Sequence, residues 1–461
     1  MKKLSVKKIA DFIGGTVIGE DCFVTSVTTD SRKCGPQTMF VGIKGERADG
    51  NDFAEGFLKN GGACVVTQKD ISVPDGRTAI RVADTKKALR DIAEYYRTTL
   101  NIEVVGVTGS VGKTSTKDML ASVLSTAFKT SATKGNYNNE IGVPLTVFDI
   151  EEDAEKAVIE MGMSNFGEIS RLTKIAKPDA AVITNIGTAH IGNLGSRENI
   201  LKAKLEILEG LSDGGLVILN GDDPYLWGAR ESIRQKTVFF GIENKEADLV
   251  GYEVSADGNS TKFFADINGK KYEFKINVAG SHHVYNALAA VLCGLRFGMK
   301  ISDISDGISN FRPTGMRQKE IETGGVKIIE DCYNASADSM KSSLETLKSM
   351  RAGGRIIAVL GDMLEQGSFA EENHRLVGKY AAENRVDALV TVGNDARFIA
   401  EDAAENGLSE IYKFDKNKDA AEFLCSYLRK NDTVLLKASR GMALEEISED
   451  IQKFFRSSAE I

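Results

Sequence analysis

The segment Gly106-Val-Thr-Gly-Ser-Val-Gly-Lys-Thr114 carries the residue types that hold a polyphosphate. Gly109 and Gly112 let backbone N–H groups curl around phosphate oxygens, Lys113 neutralises charge, and the Thr114 hydroxyl can ligate magnesium. An apolar run over 102–107 precedes the loop, and the helical spacing of Met119, Leu120, Val123 and Leu124 follows it. The loop therefore lies at a helix N-terminus, whose dipole favours anions. Phosphate contacts fall on Thr108, Gly109, Ser110, Val111, Gly112, Lys113 and Thr114. The usual pattern is G-x-x-x-x-G-K-[ST]; position 107 is Val, and the version here is T-G-x-x-G-K-T. The alternative is a glycine-rich turn with a solvated lysine.

Two further polar residues follow strand-like runs. Glu160 succeeds the apolar stretch 157–159, and His190 follows the run 180–186 after a short loop. In an open parallel sheet the ligand crevice lies at the carboxyl ends of the strands, which predicts that both residues face the phosphate loop. Glu160 can ligate a magnesium that bridges nucleotide phosphates, and His190 a second cation or a phosphate oxygen. Taken singly, a solvated strand-end glutamate and a hydrogen-bonded loop histidine are equally good readings.

The stretch 197–211 reads as one helix with Ile200, Leu201, Leu205, Ile207, Leu208 and Leu211 on a single apolar face. Lys204 falls near the centre of that face, while Lys202, Glu206 and Glu209 lie on the opposite, water-facing side. A buried ammonium tends to lose its proton or find a partner. The neutral amine is the form that reacts with carbon dioxide to give a carbamate, an anion able to ligate magnesium. The alternative is a lysine that snorkels to the surface or forms a salt bridge.

These groups must be carried by α/β layers. The chain has 461 residues, enough for three domains. Residues 1–83 read as a small α/β unit, followed by a helix over 85–100. Residues 84–313 alternate strand-like runs (157–159, 180–186, 216–219, 237–240) with helical stretches, which predicts a mostly parallel sheet. Within them, 248–278 read as short antiparallel strands with a turn at Asn268-Gly269. Residues 314–461 alternate again, with strands at 326–329, 355–360, 388–392 and 433–436, and read as a Rossmann-like α/β domain. With 45 Gly against 6 Pro, the glycines suit tight strand-to-helix turns.

The formal net charge of -8 argues against a general nucleic-acid or anionic-membrane binder. Six scattered cysteines without a C-x-x-C pair read as small core residues of a reduced, cytoplasmic protein. No 18-residue apolar run occurs, so membrane spanning is not expected.

With the phosphate loop, Glu160, His190 and Lys204 in this order, the chain resembles the Mur ligases, the ATP-dependent amide-forming family of peptidoglycan synthesis. Thr29-Asp-Ser-Arg32 and Phe40-Val-Gly-Ile-Lys-Gly45 resemble the family's nucleotide-sugar-binding first domain, which implies Ser31 and Arg32 as substrate contacts. Gly135-Asn-Tyr-Asn-Asn-Glu140 resembles its asparagine segment, adding Asn138 and Asn139. Glu160-Met-Gly162, Thr184-Asn-Ile-Gly187 with His190, and Ala203-Lys204 match the central motifs, in which the lysine is carbamylated. His282 and Asn286 match an adenine-contacting pair, and Arg317 with Asp331-Cys-Tyr-Asn334 resembles the third domain's contribution to ATP.

Asp331-Cys-Tyr-Asn-Ala-Ser336, Gly361-Asp-Met-Leu-Glu365 and Lys437-Ala-Ser-Arg-Gly-Met442 are most similar to the branch that adds D-alanyl-D-alanine. Ser336 and Ala337 stand where Asn and Pro are common, and Ala438 where Gly is common. The resemblance implies two Mg2+ ions, held by Thr114 with Glu160 and by His190 with carbamylated Lys204. It also implies Lys113, His190 and Lys204 as catalytic residues. UDP-N-acetylmuramoyl-tripeptide and D-alanyl-D-alanine are the implied partners, and a monomer is the default. The rival readings are a ligase of the same superfamily with another acceptor, such as diaminopimelate, lysine or glutamate, and a catalytically silent ATP-binding scaffold.

Overall fold

The computed structural model describes residues 1–257, 259–351 and 353–459. The chain divides into two compact units, one comprising Met1–Thr108, Ala127–Val182 and Leu205–Val217, the other Gly109–Thr126, Ile183–Lys204 and Ile218–Ile461.

In the first unit, five strands pair in the order Thr16–Gly19, Thr78–Arg81, Cys64–Thr67, Thr38–Val41, Ser26–Thr28. The last four run parallel and the first is an antiparallel edge. Phe40 and Phe57 stack in the core beneath this sheet, ring centroids 5.1 Å apart. Helix Thr85–Thr98 starts where Asp84 accepts hydrogen bonds from the N–H groups of Lys86 and Lys87, and it buries Ala88, Leu89, Ile92, Ala93 and Tyr96. At its end the buried Arg97 guanidinium donates to the carbonyls of Ala176, Leu100, Ile102 and Lys177, which rivets the helix to two chain segments. Beyond it, Thr130–Ala132, Lys156–Glu160 and Glu103–Thr108 are parallel neighbours. Every residue of Lys156–Glu160 is buried, as expected of a parallel strand covered on both faces.

The second unit holds helix Lys113–Leu124, which packs on helices His282–Arg296 and Ile301–Asn310. The contact with the latter is close: a Cβ on Gly307 would collide with the Val123 backbone, and Ser122 Oγ donates to Gly307 O at 2.6 Å. Strands Leu249–Asp257, Ser260–Ile267 and Lys270–Ile276 form an antiparallel meander. Its second turn places Asn268 and Gly269 at φ of 53° and 73°, the positive pair that two-residue hairpins favour. These strands are longer than the short segments expected from sequence.

Six more strands pair in the order Lys319–Thr323, Val326–Glu330, Thr433–Lys437, Ile356–Gly361, Ala388–Val392, Ile411–Phe414, and only the first is antiparallel. One face carries Met340, Leu344, Leu347, Val377 and Ile399, and the other Leu424, Leu428, Ile447 and Ile451. Chain leaving Val326–Glu330 goes to the first face and chain leaving Thr433–Lys437 to the second. Adjacent strands with diverging loops open a crevice at their carboxyl ends, beside Asp331, Ala438 and Ser439.

Two expectations are revised. The stretch 197–211 is not one helix: α-helix Arg197–Leu205 passes into a 3-10 turn over Glu206–Gly210. Glu206 does not face water; it accepts hydrogen bonds from the N–H groups of Gly167 (2.7 Å) and Ser170 (3.0 Å), capping helix Glu168–Ala176. Of the cysteines, Cys64, Cys293 and Cys332 are buried, whereas Cys22, Cys34 and Cys425 are only partly so; all six are free thiols.

Candidate active site

The phosphate loop is braced by the segment after strand Ala180–Ile183. Ser110 N–H donates to Asn185 O at 3.0 Å, Val111 N–H to Asn185 Oδ1 at 2.9 Å, and Asn185 Nδ2 and Thr184 Oγ1 both donate back to Val111 O. Gly109 lies at φ 152°, and a Cβ there would collide with the Thr184 hydroxyl, so the brace excludes any side chain at 109. Gly112, at φ 83°, begins helix Lys113–Leu124. Lys113 Nζ reaches back to the carbonyls of Gly109 (2.8 Å) and Ser110 (3.2 Å), which puts its charge inside the curl of the loop. Thr114 is buried at the first turn. Among the described residues the buried hydroxyl of Ser110 has no hydrogen-bond partner. An unpartnered buried hydroxyl beside a glycine loop is what a phosphate-binding cradle leaves for its ligand.

Lys204 is 2% exposed and does not snorkel. Burial, and after it the ammonium of Lys113, push its pKa well below the usual lysine range, and no acidic side chain pairs with it among the described residues. That is the environment in which the amine stays neutral and nucleophilic. His190 sits at φ 63°, its Nδ1 2.9 Å from Glu365 Oε2. Burial and, after it, the charge of Lys113 lower its pKa, against the opposing pull of Glu365. A neutral imidazole that gives its Nδ1 proton to a carboxylate keeps Nε2 bare and able to bind a cation.

A polar chain runs from the phosphate-loop helix to the segment before strand Lys319–Thr323. Thr116 Oγ1 donates to Asn286 Oδ1 (2.8 Å), and Asn286 Nδ2 donates to His283 Nδ1 (3.3 Å). His283 Nε2 donates to Gln318 Oε1 (3.0 Å), and Gln318 Nε2 to His282 Nε2 (3.4 Å). The chain is consistent only with neutral rings, and burial lowers His283 to about 4. Asn286 thus pairs with His283, one residue beyond the His282 singled out in the sequence, and both ends of its amide are engaged. Arg317 stacks on Tyr333, 3.9 Å from the ring centroid. Asp331 accepts from Lys437 Nζ and Ser343 Oγ, each at 2.6 Å.

In the first unit, Glu160 is almost fully buried and its Oε1 accepts from Asn138 Nδ2 at 2.7 Å. The neighbouring Asn139 is exposed, and its Oδ1 accepts from the N–H groups of Ile141 (3.1 Å) and Gly142 (2.9 Å) at the start of helix Gly142–Phe148. The side chain of Arg32 is 88% exposed and held by Asp30, whose carboxyl the guanidinium and the Arg32 N–H keep down at about 2. Ser31 is partly exposed beside it.

Among the described residues no three His, Cys, Asp or Glu side chains form a metal cluster. Within the second unit the donor types that suit magnesium are the Thr114 hydroxyl, the His190 imidazole and an amine, Lys204, that a carbamate would turn into an oxygen donor; in the first unit Glu160 is a buried carboxylate. Nothing in the sequence points to Gln318, nor to the contacts made by residues inside its motifs: Asp338 to the Thr188 N–H, Thr184 as a loop brace, and Glu365 as the partner of His190. Their partners are far away in sequence, so no spacing signals them.

The chain matches the Mur ligase family catalytic domain over residues 23–97, the Mur ligase middle domain over 107–294, and the Mur ligase glutamate ligase domain over 316–440. It is 41% identical to the UDP-N-acetylmuramoyl-tripeptide–D-alanyl-D-alanine ligase of Bacillus subtilis, over 98% of this chain and 99% of the relative. Its fold superposes on a crystal structure of MurF from Acinetobacter baumannii with a TM-score of 0.90 at 29% identity, covering 98% and 99% of the two chains. The MurF ligase of Thermotoga maritima in complex with ADP gives a TM-score of 0.83 at 28% identity, covering 94% of this chain and 98% of that one.

Proposed function

This chain belongs to the Mur ligase family, and we infer from that premise that it joins D-alanyl-D-alanine to UDP-N-acetylmuramoyl-tripeptide with ATP as the energy source. The full-length similarity to ligases of that name is the observation that carries the reading. In the reaction a carboxylate of the tripeptide attacks the ATP γ-phosphorus and ADP leaves, giving an acyl phosphate. The dipeptide amine then attacks the acyl carbon, loses a proton, and phosphate departs. Both steps bring anions together, so this chain's task is to neutralise charge and to position.

The phosphate-loop N–H groups and Lys113 hold the nucleotide's phosphates and the transferring phosphoryl group, and Ser110 offers its hydroxyl to them. Magnesium, when bound, supplies further positive charge to the phosphate oxygens. Thr114 and His190, with Lys204 as a carbamate, are its proposed ligands, and Glu160 carries over to the same role through the family motif. Asn138 fixes the Glu160 carboxylate. Asn286, Arg317 and Asp331 are proposed to serve ATP, the last two from the third domain. Residues 1–83 are assigned to the nucleotide sugar, 84–313 to ATP, and 314–461 to the dipeptide and part of ATP. Ser31, Arg32 and Asn139 complete the substrate contacts. A monomer working in the cytoplasm, where ATP and nucleotide sugars are available, fits these substrates, and among the described residues no helix is long and apolar enough to cross a membrane.

The decisive experiment is release of phosphate with the tripeptide nucleotide, ATP and one acceptor at a time. D-alanyl-D-alanine should support turnover; preference for a free amino acid or for glutamate would overturn the assignment.

A further inference from the structure

His190 and Glu365 meet across 175 residues of chain, and the surroundings of Glu365 are built to keep it in place. Both residues occupy the left-handed region at φ 63°, where a residue with a side chain is strained and stays only if its neighbours hold it. Around Glu365 they do so with buried polar groups. His374, fully buried, donates from Nδ1 to Ala370 O (2.6 Å) and accepts the Met363 N–H at Nε2 (2.9 Å). Ser439 Oγ accepts the Leu364 N–H at 2.8 Å. Gln366, also buried, donates to Leu364 O at 3.1 Å and accepts from Asn373 at 2.7 Å. The loop 361–367 is thus a fixed platform, although the Glu365 side chain is 60% exposed.

The platform also touches the histidine loop at the backbone. A Cβ on Gly192 would stand 2.7 Å from Glu365 O and 2.9 Å from Gly367 N, so no side chain fits between the two loops. Beside it, Thr188 N–H donates to Asp338 Oδ2 at 3.0 Å, and a Cβ on Gly187 would collide with that same oxygen. Two acidic side chains from the 314–461 region therefore set the path of the loop that carries His190.

We propose that Glu365 is the positioning residue of His190: by accepting the Nδ1 proton it fixes the imidazole tautomer and ring orientation, leaving Nε2 free for the nucleotide–metal complex. An exposed carboxylate contributes little stability through such a pair, and its effect lies in orientation. The acceptor comes from the third region of the chain, so the histidine is correctly set only while that region is docked on its loop. The proposal rests on the role given to His190 above.

The test uses the full chain labelled with 15N-histidine, in which only four imidazoles resonate. His190→Gln identifies the signal of interest. In the wild-type protein without nucleotide, His190 should carry its proton on Nδ1, and Glu365→Ala should convert it to the mixture of a solvated ring. Glu365→Gln, whose carbonyl oxygen can still accept, should keep the wild-type pattern. In steady-state assays Glu365→Ala should lower kcat roughly tenfold to a hundredfold with little change in the KM for ATP, and Glu365→Gln should recover most of the loss. An imidazole pattern identical in wild type and Glu365→Ala overturns the positioning. Unaltered kcat in Glu365→Ala despite a changed pattern overturns its catalytic purpose. His190→Ala then separates the two readings, because wild-type turnover in that variant removes the role of His190 itself.

Discussion

Lys204 shows how much a single residue type on a helix face conveys. Its place among Ile200, Leu201 and Leu205 predicts a charge where burial forbids one, and in the structure it is fully enclosed with a strongly lowered pKa. Of the alternatives the sequence leaves open, the enclosed position speaks against a lysine that snorkels to the surface, and among the described residues no acidic side chain pairs with it. Lys204→Ala should lose on the order of a hundredfold in kcat, as for removal of other preorganised charge-stabilising groups, while Lys202→Ala, altering an exposed neighbour two residues away, should keep wild-type activity. A short carboxylic acid added to Lys204→Ala should restore turnover if the working group is a carbamate. Equal activity of the two variants would exclude a role for Lys204. Glu365 is the opposite case. Nothing in Gly361-Asp-Met-Leu-Glu365 signals a partner at His190, because the pairing depends on how distant segments pack.

At the scale of elements, the strands legible in the sequence were those with continuous apolar runs, such as Lys156–Glu160, Ala388–Val392 and Thr433–Lys437, all entirely buried. Short edge strands were missed, among them Thr130–Ala132 and Ile411–Phe414, whose residues are mostly half-exposed and carry no period that sets them apart from loops. Helical period alone also could not show where Arg197–Leu205 ends. The cause lies elsewhere in the first unit, where Gly210 packs against the Thr173 backbone and Glu206 is drawn to the N-terminus of helix Glu168–Ala176. Glu206→Ala should therefore destabilise the protein by about 1 kcal/mol, the usual cost of losing a helix cap, read as a lower thermal midpoint. An unchanged midpoint would mean that water replaces the carboxylate without loss.

Over the whole molecule, a net charge of -8 has to coexist with polyanionic substrates, and the second unit answers with Lys113, Arg317 and Lys437 around its phosphate loop and sheet crevice. The same unit is held by a chain of neutral histidines, and this has a pH signature. His283 titrates at about 4 when folded and at its ordinary value of about 6.5 when unfolded, so the unfolded state takes up the proton first as pH falls. Stability is therefore full above pH ~6.5 and declines until pH ~4, by at most about 3 kcal/mol from this group. Urea-unfolding midpoints measured across that window should fall less steeply for His283→Gln than for the wild type. Parallel slopes would show that His283 protonates without cost.

The division of the chain also bears on how the protein is made. The first unit is complete once residue 217 has been synthesised, whereas the second draws on Gly109–Thr126, Ile183–Lys204 and everything from Ile218 onward. Helix Lys113–Leu124 packs on His282–Arg296 and Ile301–Asn310, both of which lie far downstream in the chain. On the ribosome, the phosphate-loop helix must therefore wait, flanked by completed structure, for nearly two hundred further residues. A nascent or truncated chain that stops before residue 282 lacks both of these helices, so the helix that follows the phosphate loop cannot complete its packing.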